Sequence, residues 1–147
     1  MIPNLVDVPG APWPLLPPGI HQATLDEVKA MFATNSTRTQ LFAGFVDACG
    51  RLKSAGCSTV YLDGSFVSEK DHPGDFDACW DPAGVDGSKL DPVFLTFDPG
   101  RATQKREFRG EFFPSTVPAD AFGRTYIDFF QQDRITGKPK GIIAISL

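Results

Sequence analysis

Apolar and polar residues alternate along several short segments of this chain, while in other segments apolar residues recur every three to four positions. The first spacing is typical of a half-buried strand and the second of an amphipathic helix. Together they predict helices over residues 24–33 and 36–54, and strands over residues 58–63, 75–80, 105–113 and 141–147. A short helical piece is expected at 92–97, and the pattern at 125–131 fits a helix or a strand equally well.

These segments predict an α+β domain with a small mixed central β-sheet and flanking helices. The 147 residues suffice for one hydrophobic core, and 41% hydrophobic with 22% charged residues is ordinary for a globular protein. We expect roughly four to six strands, with the 36–54 helix packed on one face of the sheet. Six prolines within residues 1–20 predict an extended arm, which precedes a single domain over 21–147.

Composition excludes several kinds of protein. The formal net charge of −4 argues against a general nucleic-acid-binding protein, whose surface is normally basic. Three cysteines without CxxC spacing and only two histidines argue against a structural zinc site and a disulfide framework. No apolar run approaches the ~18 residues of a membrane-spanning helix, and the N-terminus lacks signal-peptide features. We therefore expect a cytoplasmic protein without a membrane partner.

The strand at 75–80 carries the clearest chemical signal. Its even positions are apolar, its odd positions are Asp75, Asp77 and Cys79, and Asp81 follows at the same spacing. Carboxylates two residues apart on a strand lie roughly 6.5–7 Å apart at the backbone and repel each other unless a cation neutralises them. Oxygen ligands of this kind favour Mg²⁺. Just upstream, Gly64 would let phosphate groups approach the backbone, and Ser65 would offer them a hydroxyl.

Gly64-Ser65, nine further residues and then Asp75-x-Asp77 form a pattern that resembles the nucleotidyltransferase superfamily, in particular its minimal branch. The stretch GSFVSEKDHPGDFDACWD and the tail FFQQDRITGKPKGIIAISL are also similar to a family of small uncharacterised bacterial and phage proteins grouped with nucleotidyltransferases. The resemblance implies a nucleotidyltransferase-like fold. It further implies that Asp75 and Asp77 hold Mg²⁺ and that Gly64 and Ser65 bind the phosphates of ATP or another nucleoside triphosphate. The structural alternative is an edge strand whose outer face happens to be acidic.

The resemblance also implies a third carboxylate from a neighbouring strand. The candidates are Glu107, Glu111, Asp98 and Asp128. We favour Glu111 as a catalytic and metal-binding residue, because the 105–113 strand is the best candidate neighbour and Gly110 would let a ligand come close. Glu107 would share the same strand face, so it stays an alternative.

Several further charged residues admit a functional and a structural interpretation. Lys70 in the 64–74 loop could contact a phosphate, although a solvated lysine is the commoner case. Lys105, Arg106 and Arg109 could do the same, but exposed charges that prevent strand-edge pairing are more common. Asp63 is expected to cap a strand end and Lys140 to lie in a polar turn, while both tryptophans are expected to pack against the core.

The first functional hypothesis is a Mg²⁺-dependent nucleotidyltransferase that moves a nucleoside monophosphate from a triphosphate, ATP by default, to a hydroxyl of a protein or an RNA. The resemblance implies that the partner belongs to a toxin–antitoxin or phage-defence system. The second hypothesis is a catalytically inactive module of the same fold, which binds a partner protein as an antitoxin or adaptor. A nuclease or phosphatase that uses the same acids is a third option.

Overall fold

The computed structural model describes all 147 residues and has an α+β fold with a five-stranded mixed sheet. The strands are β1 (Gly19–Ala23), β2 (Thr59–Asp63), β3 (Phe76–Trp80), β4 (Gly110–Pro114) and β5 (Gly141–Ser146). The helices are α1 (Leu25–Phe32), α2 (Ser36–Ser54), α3 (Ala102–Phe108) and α4 (Tyr126–Phe129). The predicted fold class, with its mixed central sheet and flanking helices, is confirmed.

The strands are ordered β1-β5-β2-β3-β4 across the sheet. β1 runs parallel to β5, and β3 runs parallel to β4. β2 is antiparallel to both of its neighbours, β5 and β3. β3, which carries Asp77 and directly follows Asp75, is therefore paired on both sides rather than being an edge strand.

Local signals set the bounds of the first two helices. Thr24 accepts a hydrogen bond from the backbone N–H of Glu27, whose side chain accepts one from the N–H of Thr24, so the two residues form a capping box. Asn35 caps α2 through its side chain. Just beyond the end of α2, Gly56 has a φ of +95°, a conformation that suits the residue after a helix C-cap.

The two faces of the sheet differ in composition. One face, which we call the helix face, packs Val60, Leu62, Phe76, Ala78 and Phe112 against the apolar stripe of α2 in a single buried cluster. The opposite face, which we call the acid face, has a smaller apolar cluster formed by Cys79, Phe113, Phe130 and Ile142. This alternation follows from the period of two along each strand.

Two parts of the chain differ from the prediction. The predicted strand at 105–113 is wrong over its first half, because α3 ends at Phe108 and only β4 is extended. β1 was not predicted as a strand, and it crosses the expected boundary between the 1–20 arm and the 21–147 domain. Both elements depend on partners distant in the sequence: β1 pairs with β5, and the buried side chain of Gln104 in α3 hydrogen-bonds to the backbone of Phe112 in β4.

Candidate active site

Three carboxylates lie side by side on the acid face. Asp77 on β3 is in register with Asp63 on β2 and with Glu111 on β4. This register places one acid on each of three adjacent strands. Neighbouring strands are about 4.8 Å apart, so the three carboxylates are close together. We call Asp63, Asp77 and Glu111 the acid row. Asp75, two residues before Asp77 and just ahead of β3, completes the set of acids at this end of the sheet.

Gly64 brings the backbone against Asp77. Its φ is +90°, in the left-handed region that side chains disfavour. A Cβ at this position would lie 3.0 Å from the backbone nitrogen of Asp77 and 3.1 Å from its Oδ2. Glycine is therefore required where the loop leaves β2, and Ser65 opens a 3₁₀ turn next to the acid row.

Arg38 on α2 fixes the loop that contains the Gly-Ser pair. Its guanidinium is buried and donates hydrogen bonds to the carbonyl oxygens of Phe66 at 2.7 Å and Ser68 at 2.8 Å, and through Nε to that of Lys70 at 3.1 Å. Burial lowers the pKa of Arg38 from its ordinary value. A single buried cation thus ties residues 66–70 to the helix layer and holds the loop between β2 and β3 in one conformation.

Lys105 on α3 supplies a cation to two of the acids. Its Nζ lies 3.6 Å from Oδ2 of Asp75 and 3.2 Å from Oε1 of Glu111. Arg101 adds a contact of 3.4 Å from Nε to the same oxygen of Glu111. The hydrogen bond to Glu111 raises the pKa of Lys105. Asp75 and Glu111 therefore converge on one positive charge, although they come from different segments.

Burial dominates the electrostatics of the acid row. It raises the pKa of Asp77 to about 7, with further contributions from the negative charges of Asp63, Asp75 and Glu111. Burial also raises the pKa of Asp63, while its ion pair with Lys140 acts in the opposite direction. Four carboxylates held this close together need positive charge nearby to remain ionised.

Three cavities adjoin the acids. The aromatic cavity, of about 180 Å³, is lined by Asp77, Glu111, Phe113, Tyr126, Phe129 and Phe130. The arm cavity, of about 350 Å³, is lined by Trp13, Gly64, Ser65, Lys70, Asp75 and Asp77. The cation cavity, of about 480 Å³, has no hydrophobic lining residue and is formed by Ser65, Lys70, Gly74, Asp75, Lys105 and Arg109. A further cavity of about 440 Å³ beside α1 contains none of these acids.

The three cavities lie at successive positions along β3. The cation cavity lies at the start of the strand, where Asp75 is, and the aromatic cavity lies further along, where Phe113 of β4 is in register with Cys79. The arm cavity shares Asp75 with the first and Asp77 with the second. The acids are thus at the meeting point of a positively charged cavity, an aromatic cavity and a mixed one.

Of the residues predicted for the site, Gly64, Ser65, Lys70, Asp75, Asp77 and Glu111 are brought together. Glu107 is not, because it lies on α3 and contacts Arg51 of α2 at 2.8 Å. Asp98 accepts hydrogen bonds from Thr103 in the first turn of α3, and Asp128 accepts one from Thr125 at α4. Among the four candidates for a third acid, only Glu111 lies beside Asp77.

Other expectations need correction. Asp63 does not simply cap a strand end, and Lys140 does not lie in an exposed polar turn: the two form a buried ion pair next to Asp77. Lys105 does not guard an edge strand, since it pairs with Asp75 and Glu111 from a helix.

Sequence reasoning missed Asp63, Lys140 and Arg38 as parts of the site. A signal for Asp63 was present, because alternation along β2 places it on the face opposite Leu62, as it places Asp77 opposite Ala78. No local pattern marks Lys140 or Arg38. Their partners lie 77 and about 30 residues away in the chain.

The acids offer a donor set that suits Mg²⁺, which prefers carboxylate oxygens. The ammonium of Lys105 between Asp75 and Glu111 shows that two of these side chains can share one cation. In the present side-chain arrangement, no three His, Cys, Asp or Glu side chains form a ready-made metal site. The residues fit Mg²⁺ by their chemistry. Asp77 adjoins Glu111 on the next strand and follows Asp75 by two residues, so its carboxylate would be a further oxygen ligand.

Fold and site together define an α+β protein with a carboxylate-lined cleft at the end of a mixed sheet. The model of DUF6932, a family of unknown function, matches residues 11–146, so the chain belongs to that family. No curated protein and no solved structure matches the chain. None of its helices combines the length and apolar character needed to cross a membrane.

Proposed function

We propose that this protein is a Mg²⁺-dependent nucleotidyltransferase with a nucleotidyltransferase-like fold. The observation that carries the proposal is the register of Asp77 with Glu111 on the next strand, directly beside the close approach of Gly64 to Asp77. An acidic edge strand would need neither a paired acid on both neighbours nor a glycine against the carboxylate. The cation cavity adds a place for a polyanion next to the same acids.

Different residues of the chain would bind the metal and the phosphates. Asp75, Asp77 and Glu111 would hold Mg²⁺, which neutralises charge on the triphosphate and on the departing pyrophosphate. Ser65 and the backbone at Gly64 would hold phosphate oxygens, assisted by Lys70, Lys105 and Arg109 around the cation cavity. The nucleoside triphosphate, ATP by default, would thus be placed with its α-phosphate at the acids.

The reaction would join an acceptor hydroxyl to the α-phosphorus. The hydroxyl oxygen forms a bond to that phosphorus, while the bond from phosphorus to the oxygen bridging the α- and β-phosphates breaks and pyrophosphate leaves. The acceptor proton passes to the carboxylate of Glu111, which lines the aromatic cavity. By the resemblance to minimal nucleotidyltransferases, the acceptor would be a protein side chain or an RNA end, supplied by a toxin–antitoxin or phage-defence partner.

A labelling experiment tests this proposal. The protein is incubated with α-³²P nucleoside triphosphates, Mg²⁺ and host lysate, and transfer of label is followed on gels before and after protease or RNase treatment. Label on protein or RNA is expected with the wild type and not with Asp77→Asn. Asp81→Asn is the matched control, because Asp81 follows β3 at its other end and its side chain accepts only a local hydrogen bond from Ala83.

A catalytically inactive binding module of the same fold is the second candidate. One observation favours it: two lysines already neutralise acids of the site, Lys105 at Asp75 and Glu111, and Lys140 at Asp63. A protein of this kind would act as an antitoxin or adaptor by binding its partner. It would transfer no label, and Asp77→Asn would bind the same partner as the wild type. Hydrolysis of the labelled nucleotide without any labelled acceptor would instead indicate a nuclease or phosphatase.

A further inference from the structure

The N-terminal arm brings an aromatic ring to the wall of the acid site. Trp13 is partly buried and lines the arm cavity together with Ser65, Asp75 and Asp77. The volume of about 350 Å³ is within the range of small-molecule sites. An indole therefore shares a cavity with the residues proposed to bind the phosphates of a nucleotide.

The arm is attached to the site by its backbone. Val6 and Leu15 exchange N–H···O hydrogen bonds of 2.8 and 3.0 Å. Leu15 also bridges to Ser68 in the loop after β2, and both Leu15 and Leu16 are buried. These contacts fix the position of Trp13 relative to the loop that contains the Gly-Ser pair.

A cation lies over one face of the Trp13 ring. Nζ of Lys70 is 5.1 Å from the ring centroid, within the range of a cation–π contact. Lys70 also lines the cation cavity with Lys105 and Arg109. The indole is thus adjacent to the positive charge that would attract a triphosphate. Trp80, in contrast, is 3% exposed and belongs to the core.

We propose that Trp13 is a stacking platform for the base of a nucleoside triphosphate whose phosphates lie in the cation cavity. The inference rests on the proposed function, since it concerns the same acids. In a nucleotide the base and the phosphates are joined only through the ribose. The arm and cation cavities share Ser65, Lys70 and Asp75, so one nucleotide could place its base in the first and its phosphates in the second. Stacking accepts any base because every base has a π face, so Trp13 would increase affinity without selecting the base.

Binding of Mg²⁺ with ATP, measured by equilibrium dialysis on the full chain, tests the platform. We expect Trp13→Ala to raise the Kd by about 5- to 150-fold, the range found when a stacking aromatic is removed, and Trp13→Phe to raise it less. Pro12→Ala is the matched control, because Pro12 is the exposed neighbour in the same arm. Inorganic tripolyphosphate has no base, so its Kd should be the same for Trp13→Ala and the wild type.

Fluorescence gives a second readout. Trp80→Phe leaves Trp13 as the only tryptophan, and we expect ATP but not tripolyphosphate to change its emission. An unchanged Kd for ATP in Trp13→Ala would overturn the platform and leave the nucleotidyltransferase proposal standing. Equal loss of ATP and tripolyphosphate binding would also overturn it, by showing that Trp13 only holds the arm in place. A wild-type chain that binds neither ligand would remove both proposals.

Discussion

Asp63 and Lys140 form an ion pair that is almost closed to solvent, with 7% and 11% of their side chains exposed. Removing two charges from water costs several kcal/mol per ion, and their mutual attraction offsets this cost only while both are present. The pair lies beside Asp77, which is in register with Asp63. Lys140 therefore keeps the carboxylate next to Asp77 from being buried without a partner.

We predict that Lys140→Met lowers the free energy of unfolding by about 3–5 kcal/mol, because it leaves Asp63 buried without a partner. The double variant Asp63→Asn/Lys140→Met should recover much of this loss, since neither charge then remains. Urea unfolding of the two single variants and the double variant measures the coupling. Lys138→Met is the control: Lys138 is exposed, and its change should stay within about 0.5 kcal/mol. Strictly additive effects in the double variant would contradict the prediction.

Elements whose signals are local could be predicted, and those that depend on distant partners could not. The stripe and caps of α2 lie within the helix and next to it, so its bounds of Ser36–Ser54 followed from the pattern. α3 carries five charged or polar residues in a row, and its buried residues are Gln104 and Phe108. From Lys105 onwards the charged residues at alternate positions fit a strand pattern equally well. β1 is an edge strand whose only sheet partner, β5, lies more than 100 residues later in the chain.

α2 contains two glycines with opposite roles. A Cβ at Gly44 would collide with the backbone carbonyl of Phe108, where α3 crosses α2, while a Cβ at Gly50 would meet nothing within 4 Å. We predict that Gly50→Ala stabilises the protein by about 0.5–1 kcal/mol through helix propensity. Gly44→Ala should destabilise it by about 1–3 kcal/mol, because α3 must move away.

Thermal and urea unfolding of the two variants give their stabilities. Both variants carry the same substitution, glycine to alanine, on the same helix. Their difference therefore reports the close approach alone. Because α3 also carries Lys105, displacement of α3 in Gly44→Ala should weaken the contacts of Lys105 with Asp75 and Glu111. Stabilisation by both alanines would show that α3 does not approach Gly44 of α2 this closely.

At the scale of the whole molecule, the order of the strands brings the residues of the site together, because β3 lies between β2 and β4. Asp75, Asp77 and the Gly-Ser pair lie within fourteen residues of one another, and this local pattern was visible in the sequence. Glu111 could be ranked first among four acids only by assuming that its segment pairs with β3. The cations are the part that local patterns do not reveal, since Lys105 and Lys140 reach the acids from a helix and a loop distant in the chain, and Arg38 holds the loop between β2 and β3 from α2.

The three free cysteines test the integrity of the fold as a whole. Cys49, Cys57 and Cys79 are all buried, and burial raises the pKa of each, for Cys49 from 9.0 to about 12. A thiol with a raised pKa stays protonated in the folded protein and ionises on unfolding. Its contribution to stability is therefore complete below pH 9 and is lost progressively as the pH rises from about 9 towards about 12.

We predict that the free energy of unfolding of the wild type falls between pH 9 and 10. The free energy of unfolding of Cys49→Ala should fall less steeply, with a difference in slope of up to ~1.4 kcal/mol per pH unit for one thiol. Urea titrations at each pH give both slopes, and the comparison cancels the titration of lysines and tyrosines common to both chains. Maleimide labelling at pH 8 should modify the native protein slowly and the urea-unfolded protein at once, because thiolate forms only in the unfolded chain. Equal slopes together with rapid native labelling would mean that Cys49 on α2 reaches solvent, and that the helix face of the sheet is not closed.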